Sequence, residues 1–204
     1  AGVYFMLRGL PFIYQGQEIG MENTVFQSIE DVDDVSTLDE YRVALNAGLG
    51  EEEALKKVAA FSRDNARTPM QWNTGKNAGF TEGTPWLRTN PNYLRINVEA
   101  QEKDENSVLA FYKKLIALRK SEEYKETVVY GKLVPFMEQE KNLIGFTREG
   151  DKKLLVLANF QKEPRQVVLP SEMEKLLLNN LKDLDLKDGK INMGAYQFIV
   201  LELR

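Results

Sequence analysis

Neither cysteine nor histidine occurs in the 204 residues. Without cysteine there is no disulfide, no thiol nucleophile and no thiolate metal site; that usage suits a reducing cytoplasm, and a cytoplasmic location is expected. Without histidine, the commonest general base and metal ligand is missing as well. Chemistry in this chain therefore falls to carboxylates, hydroxyls, Lys, Arg or Tyr. Long apolar runs are also lacking: none approaches the roughly 20 residues that cross a bilayer, and no basic stretch leads into an apolar one near the start. No membrane is expected as a partner. The formal charge is only −4, with 27 Lys and Arg against 31 Asp and Glu and no basic stripe, so nucleic acid is not an expected partner either. What remains is 43% apolar and 28% charged, the ordinary make-up of a globular chain with a core.

Ala1-Gly2-Val3-Tyr4-Phe5-Met6-Leu7 is apolar from its first residue, with no capping residue before it, so the chain is expected to open inside an element. Phe12-Ile13-Tyr14, set between Pro11 and Gly16, fits a short strand buried on both faces of a parallel barrel. Glu30, Asp31, Asp33 and Asp34 lack the alternating spacing and glycine of a calcium loop; they read as a solvated face, with no metal and no cofactor. Thr37 and Glu40 have capping-box spacing, predicting a helix with Leu38, Tyr41, Ala44 and Leu45 inward and Gly48 as its stop. Glu51, Glu52 and Glu53 then fit the first turn of a second helix that buries Leu55, Val58 and Ala59.

Residues 62–103 are rich in Asn, Thr, Gly and Pro and show little periodicity, and ordered loops of such length are usually functional. From Asn106 the spacing of Val108, Phe111, Tyr112, Leu115 and Leu118 predicts the strongest helix, ending near Arg119 and Lys120. Beyond residue 125 the pattern turns to short strands at 127–130, 143–147, 154–160, 166–169 and 196–201, with turn signals at Glu149-Gly150-Asp151 and Asp188-Gly189-Lys190. This is the signature of an antiparallel β-sandwich.

Ser62-Arg63-Asp64-Asn65-Ala66-Arg67-Thr68-Pro69-Met70-Gln71-Trp72 packs chemically diverse side chains into a stretch that neither an amphipathic helix nor a half-buried strand requires. It resembles the corresponding stretch of the oligo-1,6-glucosidase and dextran glucosidase branch of the alpha-amylase superfamily of glycoside hydrolases. The resemblance continues in order through residues 9–21, Asn77-Ala78-Gly79-Phe80-Thr81, Pro85-Trp86, Asn90-Pro91-Asn92-Tyr93 and Ile96-Asn97-Val98. It implies an α+β chain: the last strand, long loop and last helix of a (β/α)8 barrel over residues 1–122, then a C-terminal β-sandwich over 123–204. A whole barrel takes about 250 residues, so the chain is expected to be part of a longer protein.

Retaining glycoside hydrolysis needs two carboxyl groups about 5 to 5.5 Å apart. The resemblance implies that these, a supporting Asp and the active-site histidines precede residue 1, leaving no catalytic residue here and a chain inactive alone. It gives Arg63 as the glucose-binding arginine beside the nucleophile, a task suited to planar guanidinium donors; a structural pairing to a barrel Asp is the alternative, and the two roles can coexist. Asp64 and Arg67 are expected to fix the loop, and Trp72 and Trp86 to pack, with stacking on a sugar ring as the alternative for each. Ser36 stands where relatives commonly carry Glu on the aglycone side of the pocket; it either tunes the leaving-group preference or merely accompanies a helix N-cap. Gln17, also in place of Glu, is expected to make local hydrogen bonds.

The implied activity is hydrolysis of α-1,6 bonds in isomalto-oligosaccharides, the small oligosaccharide being one partner and the rest of the barrel another. Trehalose-6-phosphate hydrolases and sucrose-converting enzymes resemble much of the segment, and a non-catalytic amylase-like binding module is a further alternative that the intact Arg63 loop disfavours. Apolar surface around Phe5, Leu7, Phe12 and Ile13 predicts a dimer or swapped oligomer.

Overall fold

The structure, a computed structural model, describes residues 1–204. Six α-helices, Gly2–Met6 (α1), Val35–Asn46 (α2), Glu51–Ala59 (α3), Val98–Glu102 (α4), Val108–Lys120 (α5) and Lys125–Tyr130 (α6), come before eight strands. The strands are Lys132–Phe136 (β1), Leu143–Glu149 (β2), Lys153–Asn159 (β3), Arg165–Val168 (β4), Met173–Asn179 (β5), Leu186–Lys187 (β6), Lys190–Met193 (β7) and Phe198–Leu203 (β8). By packing the chain forms two units, Ala1–Phe12 with Phe111–Arg204, and Ile13–Ala110.

In the first unit an antiparallel sheet of order β1-β2-β3-β8-β5 faces a smaller one of order β4-β7-β6. The run Leu154-Leu155-Val156-Leu157-Ala158 is apolar at every position because β3 is central and covered on both sides. Leu154, Val156 and Ala158 pack with Phe5, Met6, Tyr112, Leu115 and Val128 from the helices. Leu155 and Leu157 pack with Val167, Ile191 and Met193 of the smaller sheet. The edge strand β1 carries Pro135, where a missing amide donor is tolerated. The Asp188-Gly189 turn between β6 and β7 has φ of 50° and 69°, as a type I′ hairpin requires. α1 and most of α5, which the resemblance assigns to the barrel, lie on this sandwich.

The carbonyls around the end of α1 are read by two arginines. Arg119 donates to Phe5, Leu7 and Gly9 oxygens. Arg148, fully buried, donates from Nη1 to Met6 O at 2.6 Å and from Nη2 to Gly131 O at 2.7 Å. Both guanidiniums are pushed below their ordinary pKa by burial, Arg148 also by Arg119 and Arg8.

The second unit has a small apolar centre of Ile19, Met70 and Ile96. Most of its cohesion is polar, which explains the asparagines of the long loop: their amides satisfy a backbone that has no ladder. Asn90 donates to Glu22 O and Asn23 O. Asn97 caps α4 through Ala100 N, and Asn90 caps the short helix Pro91–Leu94 through Asn92 N.

Several expectations are corrected. Thr127–Tyr130 is not a strand but belongs to α6, because Thr127 and Val128 are buried by the turn of a helix that Gly131 ends. The sandwich gains β1, β5, β6 and β7, which were not expected as strands. The first predicted helix starts at Val35 with Asp34 as N-cap, so Thr37 is not the cap residue. Phe12-Ile13-Tyr14 forms no ladder; a strand exists only through hydrogen bonds to neighbours, and none lies beside it here. Phe5 is buried against Tyr112, leaving Leu7, Phe12 and Ile13 of the predicted apolar surface exposed.

Candidate functional site

Two chain segments, residues 33–37 and 62–67, clasp each other through reciprocal carboxylates. Asp64, fully buried, accepts from the backbone amides of Asp33 at 2.8 Å and Asp34 at 3.0 Å. Asp34, only 3% exposed, returns the contact by accepting from Arg63 N at 3.2 Å. The local sequence makes this clasp: Ser62 Oγ accepts from Asp64 N and so starts a short 3-10 helix, Arg63–Ala66, while Asp34 occupies the N-cap position of α2 with its carboxylate turned to Arg63 and Thr37 instead of to the helix amides. Thr37 Oγ1 donates to Asp34 Oδ2 at 2.8 Å.

Arg63 is held at the rim of the clasp. Its Nε and Nη2 both donate to Asp34 Oδ1, and Nη2 also donates to Ser36 Oγ at 3.1 Å. The side chain is 66% exposed, so the rest of its planar donor set faces outward. The guanidinium beside Asp34 holds that carboxyl far below the usual carboxylate range, and Asp34 raises Arg63 in turn. An exposed cation with a fixed orientation and spare donors suits recognition of hydroxyl groups.

A second arm of the same network leads to Trp86. Arg67 donates to Asp64 Oδ1 and lies 5.2 Å from the centre of the Trp86 ring. The indole Nε1 donates to Asp33 Oδ2 at 2.7 Å. Trp86 is nevertheless 64% exposed and Trp72 48%, so neither is the packed side chain that was expected. Gln17 makes the expected local bond, accepting from Tyr14 N at 2.9 Å.

Arg63 and Ser36, 27 positions apart and singled out separately, are thus brought into direct contact. Asp64 and Arg67 fix the loop as expected. Asp34 was missed: it had been read as part of a solvated acidic face, and burial beneath Arg63 corrects that reading. A signal was present, since Asp34 stands directly before a helix whose cap had been placed three residues later.

The alpha-amylase catalytic domain model matches residues 1–131, and the alpha-amylase SusG C-terminal domain model matches residues 143–200. A probable oligo-1,6-glucosidase of Bacillus subtilis is 44% identical over 197 residues, covering 94% of this chain and 35% of its own length. Among solved structures, trehalose-6-phosphate hydrolase of Bacillus licheniformis superposes with a TM-score of 0.90 at 39% identity, over 99% of this chain and 37% of that one. Isomaltulose synthase of Klebsiella sp. LX3 gives 0.87 at 35% identity, over 100% and 37%. A barrel-end loop with an ordered arginine, joined to an antiparallel sandwich, is thus what this chain shares with the C-terminal part of these proteins. The chain belongs to the alpha-amylase family of glycoside hydrolases, and it spans about a third of the length of these relatives.

Proposed function

We propose that this chain forms the C-terminal part of a retaining α-glucosidase that removes terminal glucosyl units from isomalto-oligosaccharides by cleaving α-1,6 bonds. The observation that carries the reading is Arg63, fixed by Asp34 and Ser36 with outward donors at the loop that resembles the family's glucose-binding wall. Its role is to hold a sugar hydroxyl, and to orient the ring against carboxylates supplied by the remainder of the barrel.

The acids of the clasp are unsuited to the chemistry itself. A general acid must hold its proton near neutrality, whereas Arg63 keeps Asp34 ionised far into the acid range. Asp64 is fully engaged by two amides and Arg67. The chain alone is accordingly proposed to be inactive. Ser36 in place of a glutamate removes a negative charge and shortens the reach on the aglycone side, favouring a leaving-group sugar that needs no carboxylate partner there.

A reading as trehalose-6-phosphate hydrolase is disfavoured at this wall, since Arg63 and Arg67 are both committed to carboxylates and leave no uncompensated cation for a phosphate. The test is complementation with the N-terminal two thirds of a close relative. Hydrolysis of an aryl α-glucoside is expected to return, and Arg63→Ala to remove most of it by about 2 to 4 kcal/mol of transition-state stabilisation. Full activity in that variant would sink the assignment, and turnover by the clean chain alone would overturn its proposed inactivity.

A further inference from the structure

The Trp86 ring has the features of a ligand platform rather than of packing. Its indole N–H is tied to Asp33 at 2.7 Å and one face carries the Arg67 guanidinium, so the ring is fixed before any ligand arrives. Yet it stays 64% exposed. A cleft of about 500 Å³ is walled by Trp86 but not by Arg67. The other walls bring Tyr93, Asn77, Asp31 and Arg88. Asn77 is itself locked: at φ 51° it donates to the carbonyls of Thr81 and Gly83. Thr89, on the same wall, has a buried hydroxyl without a hydrogen-bond partner.

We propose that Trp86 and this cleft bind a pyranose ring of a neutral oligosaccharide, a second sugar contact in the same loop as Arg63. An immobilised aromatic offers its face to the apolar C–H side of a sugar with little further loss of side-chain freedom. The amide, carboxylate and guanidinium around it are planar groups that suit pairs of neighbouring hydroxyls. Charge sets the ligand class: Asp31 is paired with Arg88 at 3.6 Å, and Glu30 on the rim leaves the cleft net negative, which opposes an anionic sugar. The choice of a sugar as ligand rests on the reading under Proposed function.

The chain has two tryptophans, so in a Trp72→Phe background the emission reports Trp86 alone. Titration with isomaltotriose is expected to give a saturable change at millimolar ligand, and glucose 6-phosphate none. By calorimetry, Trp86→Leu is expected to weaken isomaltotriose binding by more than about tenfold and Trp86→Phe to retain part of it. The absence of a saturable change, or equal binding by Trp86→Leu, would each overturn the proposal. Unaltered binding beside a reconstituted enzyme that cannot hydrolyse α-glucosides would instead sink the α-glucosidase reading and leave this subsite standing.

Discussion

Asp34 shows how one side chain joins stability to recognition. Because Arg63 depresses its folded pKa, the stability it contributes is present above the ordinary carboxylate value of about 4 and is lost as pH falls through the depressed value. Asp34→Asn removes that dependence. The gap in denaturation midpoint between the natural chain and the variant is therefore expected to be widest above about pH 4 and to narrow in strong acid; a gap independent of pH would contradict the pairing. Residue types and spacing made the Arg63 loop legible in the sequence, because its identity is chemical. Asp34 was not legible, since an aspartate at a helix start looks the same whether it is solvated or buried under a guanidinium from 29 positions further on. The same limit applies to Trp86: its exposure depends on Asp33 and Arg67, which reach it from two other segments.

At the scale of elements, the helices whose periodic apolar positions are widely spaced were legible, as were the strands with unbroken apolar runs. α5 buries Tyr112, Leu115 and Leu118 as its stripe required, and α3 keeps Glu51, Glu52 and Glu53 in its first turn. α6 was not, because Thr127-Val128-Val129 carries strand propensity that burial of Tyr124 and Val128 overrides. β5 was hidden for another reason: as an irregular edge strand with two register shifts it alternates poorly, and Glu174 and Lys175 keep its exposed edge charged. Two glycines separate the causes of turn formation. A Cβ on Gly131 would meet Thr127 O at 2.4 Å, so Gly131→Ala is expected to cost about 1–3 kcal/mol through displaced backbone. Gly189 has open space and only a left-handed φ of 69°, so Gly189→Ala is expected to cost about 1 kcal/mol, the smaller of the two in chemical denaturation.

For the molecule as a whole, the segment running from Leu7 to Tyr14 is the feature that sets behaviour in solution. Leu10 is 77% exposed, Phe12 81% and Tyr14 53%, a contiguous apolar stretch that other strands of a barrel would cover. We propose that the isolated chain self-associates through it, and sedimentation equilibrium is expected to show mass rising with concentration, reduced in a Leu10→Ser, Phe12→Ser double variant. A compact monomer that binds no hydrophobic dye would count against this.

Arg148 carries a different consequence for the whole chain. Its buried guanidinium lies in the second strand of the sandwich, yet one of its two carbonyl partners belongs to Met6, 142 positions earlier. A sandwich cut out at residue 123 would keep the Gly131 carbonyl but be left with an interior cation facing an empty acceptor position where Met6 O stood. Exchange of this module between enzymes, in the laboratory or in evolution, would therefore have to carry the end of α1 along with it or replace Arg148 at the seam.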